Sequence, residues 1–173
     1  MNYRSSIPFL FLAALFMGLF SSCYTFSGVS VDYSVMKTYF VDNFQNNALN
    51  APPTLPQTLA EALRQKVRLD SRLVQTDINP DIEFRGTLVD FRVTAEAPQG
   101  GNARESTSVN RLTIVTAVEY INNKAEDKGW KSNFSFFYDY PSTQDLSQVQ
   151  DDAIQEIVDQ MMEDIFNKAF TDW

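Results

Sequence analysis

Between Leu146 and Ala169, apolar side chains recur at steps of three and four: Leu146, Val149, Ala153, Ile154, Ile157, Val158, Met161, Met162, Ile165, Phe166 and Ala169. Asp151, Asp152, Gln155, Glu156, Asp159, Glu163 and Asp164 fall between them. This spacing predicts an amphipathic helix of about six to seven turns. An apolar stripe of that length needs a broad apolar surface to cover, so the helix is expected to lie across a sheet.

The rest of the chain supplies the strands. Trp130, Phe134, Phe136, Tyr138 and Tyr140 alternate with Lys131, Asn133, Ser135 and Asp139, the pattern of a half-buried strand. Leu112, Ile114, Val118 and Tyr120 alternate with Val115 and Ala117, so both faces are partly apolar, as in a central strand. Asp127-Lys128-Gly129 between these two reads as a hairpin turn. Ile82, Phe84 and Leu88 keep one phase and Val89, Phe91 and Val93 the other, which predicts a long strand with a bulge near Leu88. Val35 to Phe44 reads as a first strand. Leu55, Leu59, Ala62, Leu63 and Val67 have helical spacing, with Thr54 or Thr58 as the expected cap and Gln57 or Glu61 completing a capping box. The element order is βαβββα. It predicts an α+β two-layer sandwich: a four-stranded, mostly antiparallel sheet with two helices on one face.

The amino terminus carries an address. Arg4 precedes an apolar run from Ile7 to Phe20, too short for a comfortable membrane span of about 20 residues. The run ends at Phe20-Ser21-Ser22-Cys23, with small residues directly before a cysteine. Cys23 is the only cysteine, so no internal disulfide is available to explain it. Residues 1–22 are therefore expected to be a lipoprotein signal peptide, with Cys23 lipidated by diacylglycerol and palmitate-type chains. Two or more chains anchor far more firmly than one, at about 0.8 kcal/mol per buried methylene. Residues 23–34 read as a tether and 35–173 as one folded domain. At about 3.3–3.6 Å per residue, the tether reaches roughly 40 Å.

Chemistry is scarce. There is no histidine, which removes the commonest general base and metal ligand. No glycine-rich phosphate loop or Gly-x-Ser-x-Gly elbow is present. Asp151-Asp152 and Glu163-Asp164 are adjacent carboxylates, but neighbours on a helix do not face one another. The expectation is no enzyme, no cofactor, no metal site and no catalytic residue. The formal charge is −8, which opposes general nucleic-acid binding.

Three stretches resemble the short branch of the LptE family, lipoproteins of lipopolysaccharide assembly. They are Cys23-Tyr24-Thr25-Phe26-Ser27-Gly28, Asn110-Arg111-Leu112-Thr113-Ile114, and Glu163-Asp164-Ile165-Phe166-Asn167-Lys168-Ala169-Phe170 followed by Thr171-Asp172-Trp173. The resemblance implies an outer-membrane lipoprotein that plugs an LptD-like β-barrel, helps it assemble, and helps place lipopolysaccharide in the outer leaflet. The fold it implies is a four-stranded sheet with two helices. For lipopolysaccharide phosphates, Arg85, Arg92, Arg104, Arg111 and Lys131 are the candidate contacts, because guanidinium forks suit phosphate. The alternative role is a periplasm-facing regulator of a cell-wall synthase, which an acidic helix face suits and a short tether does not.

Overall fold

The computed structural model describes residues 31–96 and 108–171. Cys23 and Arg104, on which two of the expectations rest, lie outside them. In chain order the elements are β1 (Thr38–Val41), β2 (Gln45–Asn46), α1 (Leu55–Asp70), β3 (Val74–Gln75), β4 (Ile82–Glu96), β5 (Val109–Asn122), β6 (Trp130–Pro141) and α2 (Leu146–Phe170). A single 3₁₀ turn, Glu126–Lys128, joins β5 to β6 where a hairpin turn was expected.

The strands form one six-stranded sheet in the order β3-β1-β4-β5-β6, with β2 also paired to β4. β1 and β2 lie end to end along one edge of β4, Tyr39 opposite Ile82 and Asn46 opposite Leu88. This corrects the expected four-stranded, mostly antiparallel sheet. β1 runs parallel to β3 and β4, and β2 runs parallel to β4. Among the described residues, only the β4-β5-β6 ladder is antiparallel. The physical reason is the crossover: α1 carries the chain back before β3 and β4 begin, and strands joined through a helix pair in parallel.

Both helices pack on one face, α1 against β1 and β4, α2 against β5, β6 and α1. The core between the layers contains Tyr39, Leu59, Leu63, Phe84, Leu88, Ile114, Ile157, Met161 and Ile165, all fully buried. Each such side chain contributes about 1.5–3 kcal/mol of burial. Val31 is also buried and Tyr33 packs against the core, so residues assigned to the tether already join the packed structure.

Two local devices set the sheet's shape. The β4 register shifts between Leu88 and Asp90, leaving Val89 as the extra residue of a bulge. The shift turns Phe91 back to the helix side, where it is buried with Phe84 and Leu88. At the other device, Gly86 leaves room for the Phe44 ring: a Cβ there would sit 2.3 Å from it. Phe44 turning over Gly86 is what separates β1 from β2, so the expected strand 35–44 is shorter than read.

Helix ends differ in chemistry. Thr54 holds the N-cap position of α1 without a side-chain cap bond, and Thr58 Oγ1 instead donates to the Thr54 carbonyl at 3.2 Å. The expected capping box is therefore absent there; Pro56 opens the helix in its place. A capping box does form at α2, where the Asp145 N–H donates to Gln148 Oε1 at 3.1 Å.

Candidate functional site

Among the described residues, one face of the sheet carries no helix, and the strand registers say which side chains share it. Arg85, Glu119 and Lys131 form one cross-strand row. Arg92, Thr113 and Phe137 form a second, and Thr94, Arg111 and Asp139 a third. Directly opposed residues point to the same side. The structure thus gathers Arg85, Arg92, Arg111 and Lys131, four of the five expected cations, on this open face.

Each cation meets a carboxylate close by. Arg85 Nη2 is 3.0 Å from Glu83 Oε2, and Lys131 Nζ is 3.0 Å from Glu119 Oε1. Arg92 pairs with Asp90 two residues earlier on its own strand. Arg111 makes the strongest geometry: Nε and Nη2 each donate to one Asp139 oxygen at 2.7 Å, and Glu96 stands 4.0 Å away. The fork holds the Asp139 carboxyl below its ordinary range and pushes the Arg111 guanidinium up. Arg111 also lies over the Phe137 ring, 3.8 Å from its centroid.

Accessibility divides these groups. The side chains of Lys131 and Arg85 are 76% and 55% exposed, whereas that of Arg111 is 31% exposed. Lys131 and Arg85 also line the same shallow cleft of about 460 Å³, with Asp42, Asn43, Gln45 and Glu119. Arg85 and Lys131 are therefore free to exchange a surface carboxylate for another anion, while Arg111 is built into the sheet.

Phe137 escaped the sequence reading. Its signal was present: Phe136 and Phe137 are adjacent in a strand, so one of them must face away from the core, and Phe137 is 51% exposed. Arg64 and Asp81 were also missed. Arg64 Nε and Nη2 donate to the Val41 carbonyl at 3.3 and 3.1 Å, closing the end of β1. Asp81 accepts from the Lys37 and Thr38 N–H groups at 2.7 and 3.0 Å and pairs with Lys124 at 2.9 Å. Both act across long sequence gaps that no local spacing records.

Among the described residues, no group of three or more acidic, His or Cys side chains is placed to hold a metal, and no helix is long and apolar enough to cross a membrane. Fold and site together define a small α+β domain with a charged, pairwise-neutralised sheet face.

Residues 36–169 match the family model for LptE, described as lipopolysaccharide-assembly, and the chain belongs to that family. No curated protein matches the sequence. Among solved structures, a hypothetical protein from Chlamydia trachomatis aligns with TM-score 0.50 and 6% identity, over 78% of this chain and 98% of that one. A minor lipoprotein from Acinetobacter baumannii aligns with TM-score 0.45 and 11% identity, over 79% and 98% of the two chains. At such identities the likeness concerns the fold alone.

Proposed function

We propose that this protein is a non-catalytic outer-membrane lipoprotein, lipidated on Cys23, that plugs an LptD-like β-barrel. In that position it assists barrel assembly and the insertion of lipopolysaccharide into the outer leaflet. Membership of the lipopolysaccharide-assembly family supports the reading, and one observation carries it: among the described residues, one sheet face has no helix over it and is lined with charged pairs. A barrel lumen is polar and wet, so a plug must present a rigid surface of that kind. Arg85, Arg92, Arg104, Arg111 and Lys131 are proposed to supply phosphate contacts, with Arg85 and Lys131 foremost because both are exposed and share a cleft.

The test is detergent extraction of membranes followed by purification of the full chain, with radiolabelled palmitate in the growth medium. The expected result is label on the wild-type protein, none on Cys23→Ala, and a large outer-membrane barrel in the purified complex. Recovery of a cell-wall synthase instead of a barrel would move the assignment to the regulatory role.

A further inference from the structure

The two ends of the domain differ in chemistry. At one of them β1, β4 and β6 begin and β5 finishes: Tyr39 stands opposite Ile82, Ile82 opposite Asn122, and Tyr120 opposite Trp130. Both helices finish there too. The Phe170 ring meets Phe84 and Tyr120 edge-on, and the chain leaving α1 enters β3 with Val74 opposite Thr38. The described chain also starts at this end, where Tyr33 lies 5.6 Å beneath the Arg72 guanidinium.

Two kinds of side chain collect here. Among the described residues, Lys37, Arg68, Arg72, Lys128 and Lys168 have no carboxylate partner, whereas the other cations are all paired. All five stand at this end. Arg68 and Lys168 close their helices and suit the helix dipole, but the dipole does not account for Lys37, Arg72 or Lys128. The second kind is apolar. Val35, Leu69, Val74 and Ile78 are between 49% and 75% exposed. Val35 and Val74 flank Lys37, since the Val74 N–H donates to the Lys37 carbonyl at 2.9 Å. Ile78 belongs to the link that returns to the start of β4, where Asn123 Nδ2 donates to the Pro80 carbonyl at 2.9 Å. Single exposed apolar residues need no explanation, but a group of them beside unpaired cations does.

We propose that this end of the domain rests on the membrane surface beside the lipid anchor. Val35, Leu69 and Val74 enter the headgroup layer, and Lys37, Arg68 and Arg72 meet the phosphates of anionic phospholipid. The inference rests on the reading of Cys23 as the lipidated residue. Eight residues separate Cys23 from the buried Val31, so at about 3.3–3.6 Å each the fold starts within roughly 28 Å of the anchor. A plug with that tether keeps this end at the mouth of its barrel, level with the headgroups of the leaflet that holds the lipid, while the rest stays in the lumen. Aromatic rings paired with cations suit that zone, because the ring and the side-chain stem take the apolar side and the charge stays in water. Arg72 on Tyr33 is one such pair, and Lys168 over Trp130 at 5.4 Å is another. β3 and β6 are four strand spacings apart, about 19 Å, so one flat surface touches both pairs. The exposed acids of this end, Asp32, Asp77, Glu126 and Asp127, nearly balance its free cations. Attraction is therefore short-range and needs the apolar side chains to hold the cations at the phosphates.

The test uses the full chain, purified in mild detergent and returned to vesicles of phosphatidylethanolamine containing phosphatidylglycerol. A fluorophore is placed at Val35→Cys, at Val74→Cys, or at Gln155→Cys on the outer side of α2, and quenched by phospholipid bearing a headgroup nitroxide. Labels at 35 and 74 are expected to be quenched several-fold more than the label at 155. Each charge removed lowers the ratio of resting to lifted molecules about fivefold. The triple variant Lys37→Ala, Arg68→Ala and Arg72→Ala is therefore expected to quench at 35 and 74 as weakly as at 155. Vesicles of phosphatidylcholine alone give the same comparison on the unaltered cations, should that variant fail to fold. Equal quenching at 35, 74 and 155 in the anionic vesicles overturns the inference. Quenching that is lost when the co-purified barrel is present assigns the surface to the barrel and overturns it too. The chain with no introduced cysteine is expected to take no fluorophore, because a lipidated sulfur is no longer a thiol. Fluorophore on that chain overturns the Cys23 reading itself, whatever the quenching pattern.

Discussion

Asp81 shows how much a single carboxylate holds together. It is buried at 8% exposure, caps the start of β1 through two N–H groups, and meets Lys124 at the end of β5. Its own N–H donates to Thr38 Oγ1 at 3.0 Å, so the link is reciprocal. Lys124, with the Lys37 N–H next, holds the carboxyl at about 2 against its ordinary 3.8. A carboxyl with a depressed folded value binds fewer protons folded than unfolded, so its contribution is complete above about pH 4 and is lost as pH falls towards 2. Asp81→Ala is expected to destabilise by about 2 kcal/mol, the size of hydrogen bonds to a charged group. Urea unfolding at pH 7 and pH 2.5 checks both points, because the difference between wild type and variant should shrink at the lower pH. A difference equally large at both would show that packing, not charge, makes the contribution.

At the scale of elements, legibility followed length and period. β4, β5, β6 and both helices were readable because each repeats its pattern often enough to fix a phase, and the bulge near Leu88 was readable as the point where that phase breaks. β2 and β3 are two residues each and have no period to read. Their pairing is dictated by neighbours: Val74 joins through the Lys37 carbonyl, and Asn47 through that of Leu88. The parallel direction of β1 was open to inference from α1 alone, since a helix between two adjacent strands is a crossover. What no pattern disclosed is the Phe44 ring lying on Gly86. Gly86→Ala puts a methyl group where that ring stands and forces it, with the β1–β2 link, to move. The expected cost is about 1–3 kcal/mol, as for other overpacked cores. Phe44→Leu should recover part of it in the double variant. Thermal melts of the four proteins measure the coupling, and strict additivity would mean that the ring is not what Gly86 accommodates.

For the whole molecule, the division into two faces matters more than any one contact. Helices cover the apolar side of the sheet, and the other side is left to charged pairs whose signs nearly balance: Glu83, Asp90, Glu96, Glu119 and Asp139 stand against Arg85, Arg92, Arg111 and Lys131. Such a face does not attract anions at a distance. An incoming phosphate must take a cation from its carboxylate, which is easiest where both partners are in water. Exposed pairs contribute only about 0–1 kcal/mol to folding. The double variant Arg85→Ala and Lys131→Ala is therefore expected to melt within a few degrees of wild type. If these two groups hold lipopolysaccharide phosphates, losing two charge-assisted bonds of about 1.5–3 kcal/mol each weakens binding by tenfold or more. Arg111→Ala serves as the contrast. It breaks the fork to Asp139 and uncovers Phe137, so it should lower the melting temperature as well as any affinity. Binding of fluorescent lipopolysaccharide, read beside thermal melts for the same proteins, separates the two behaviours. Unchanged affinity in the double variant would remove the cleft between β4 and β6 from the binding surface and leave the open face as a surface for protein contact alone.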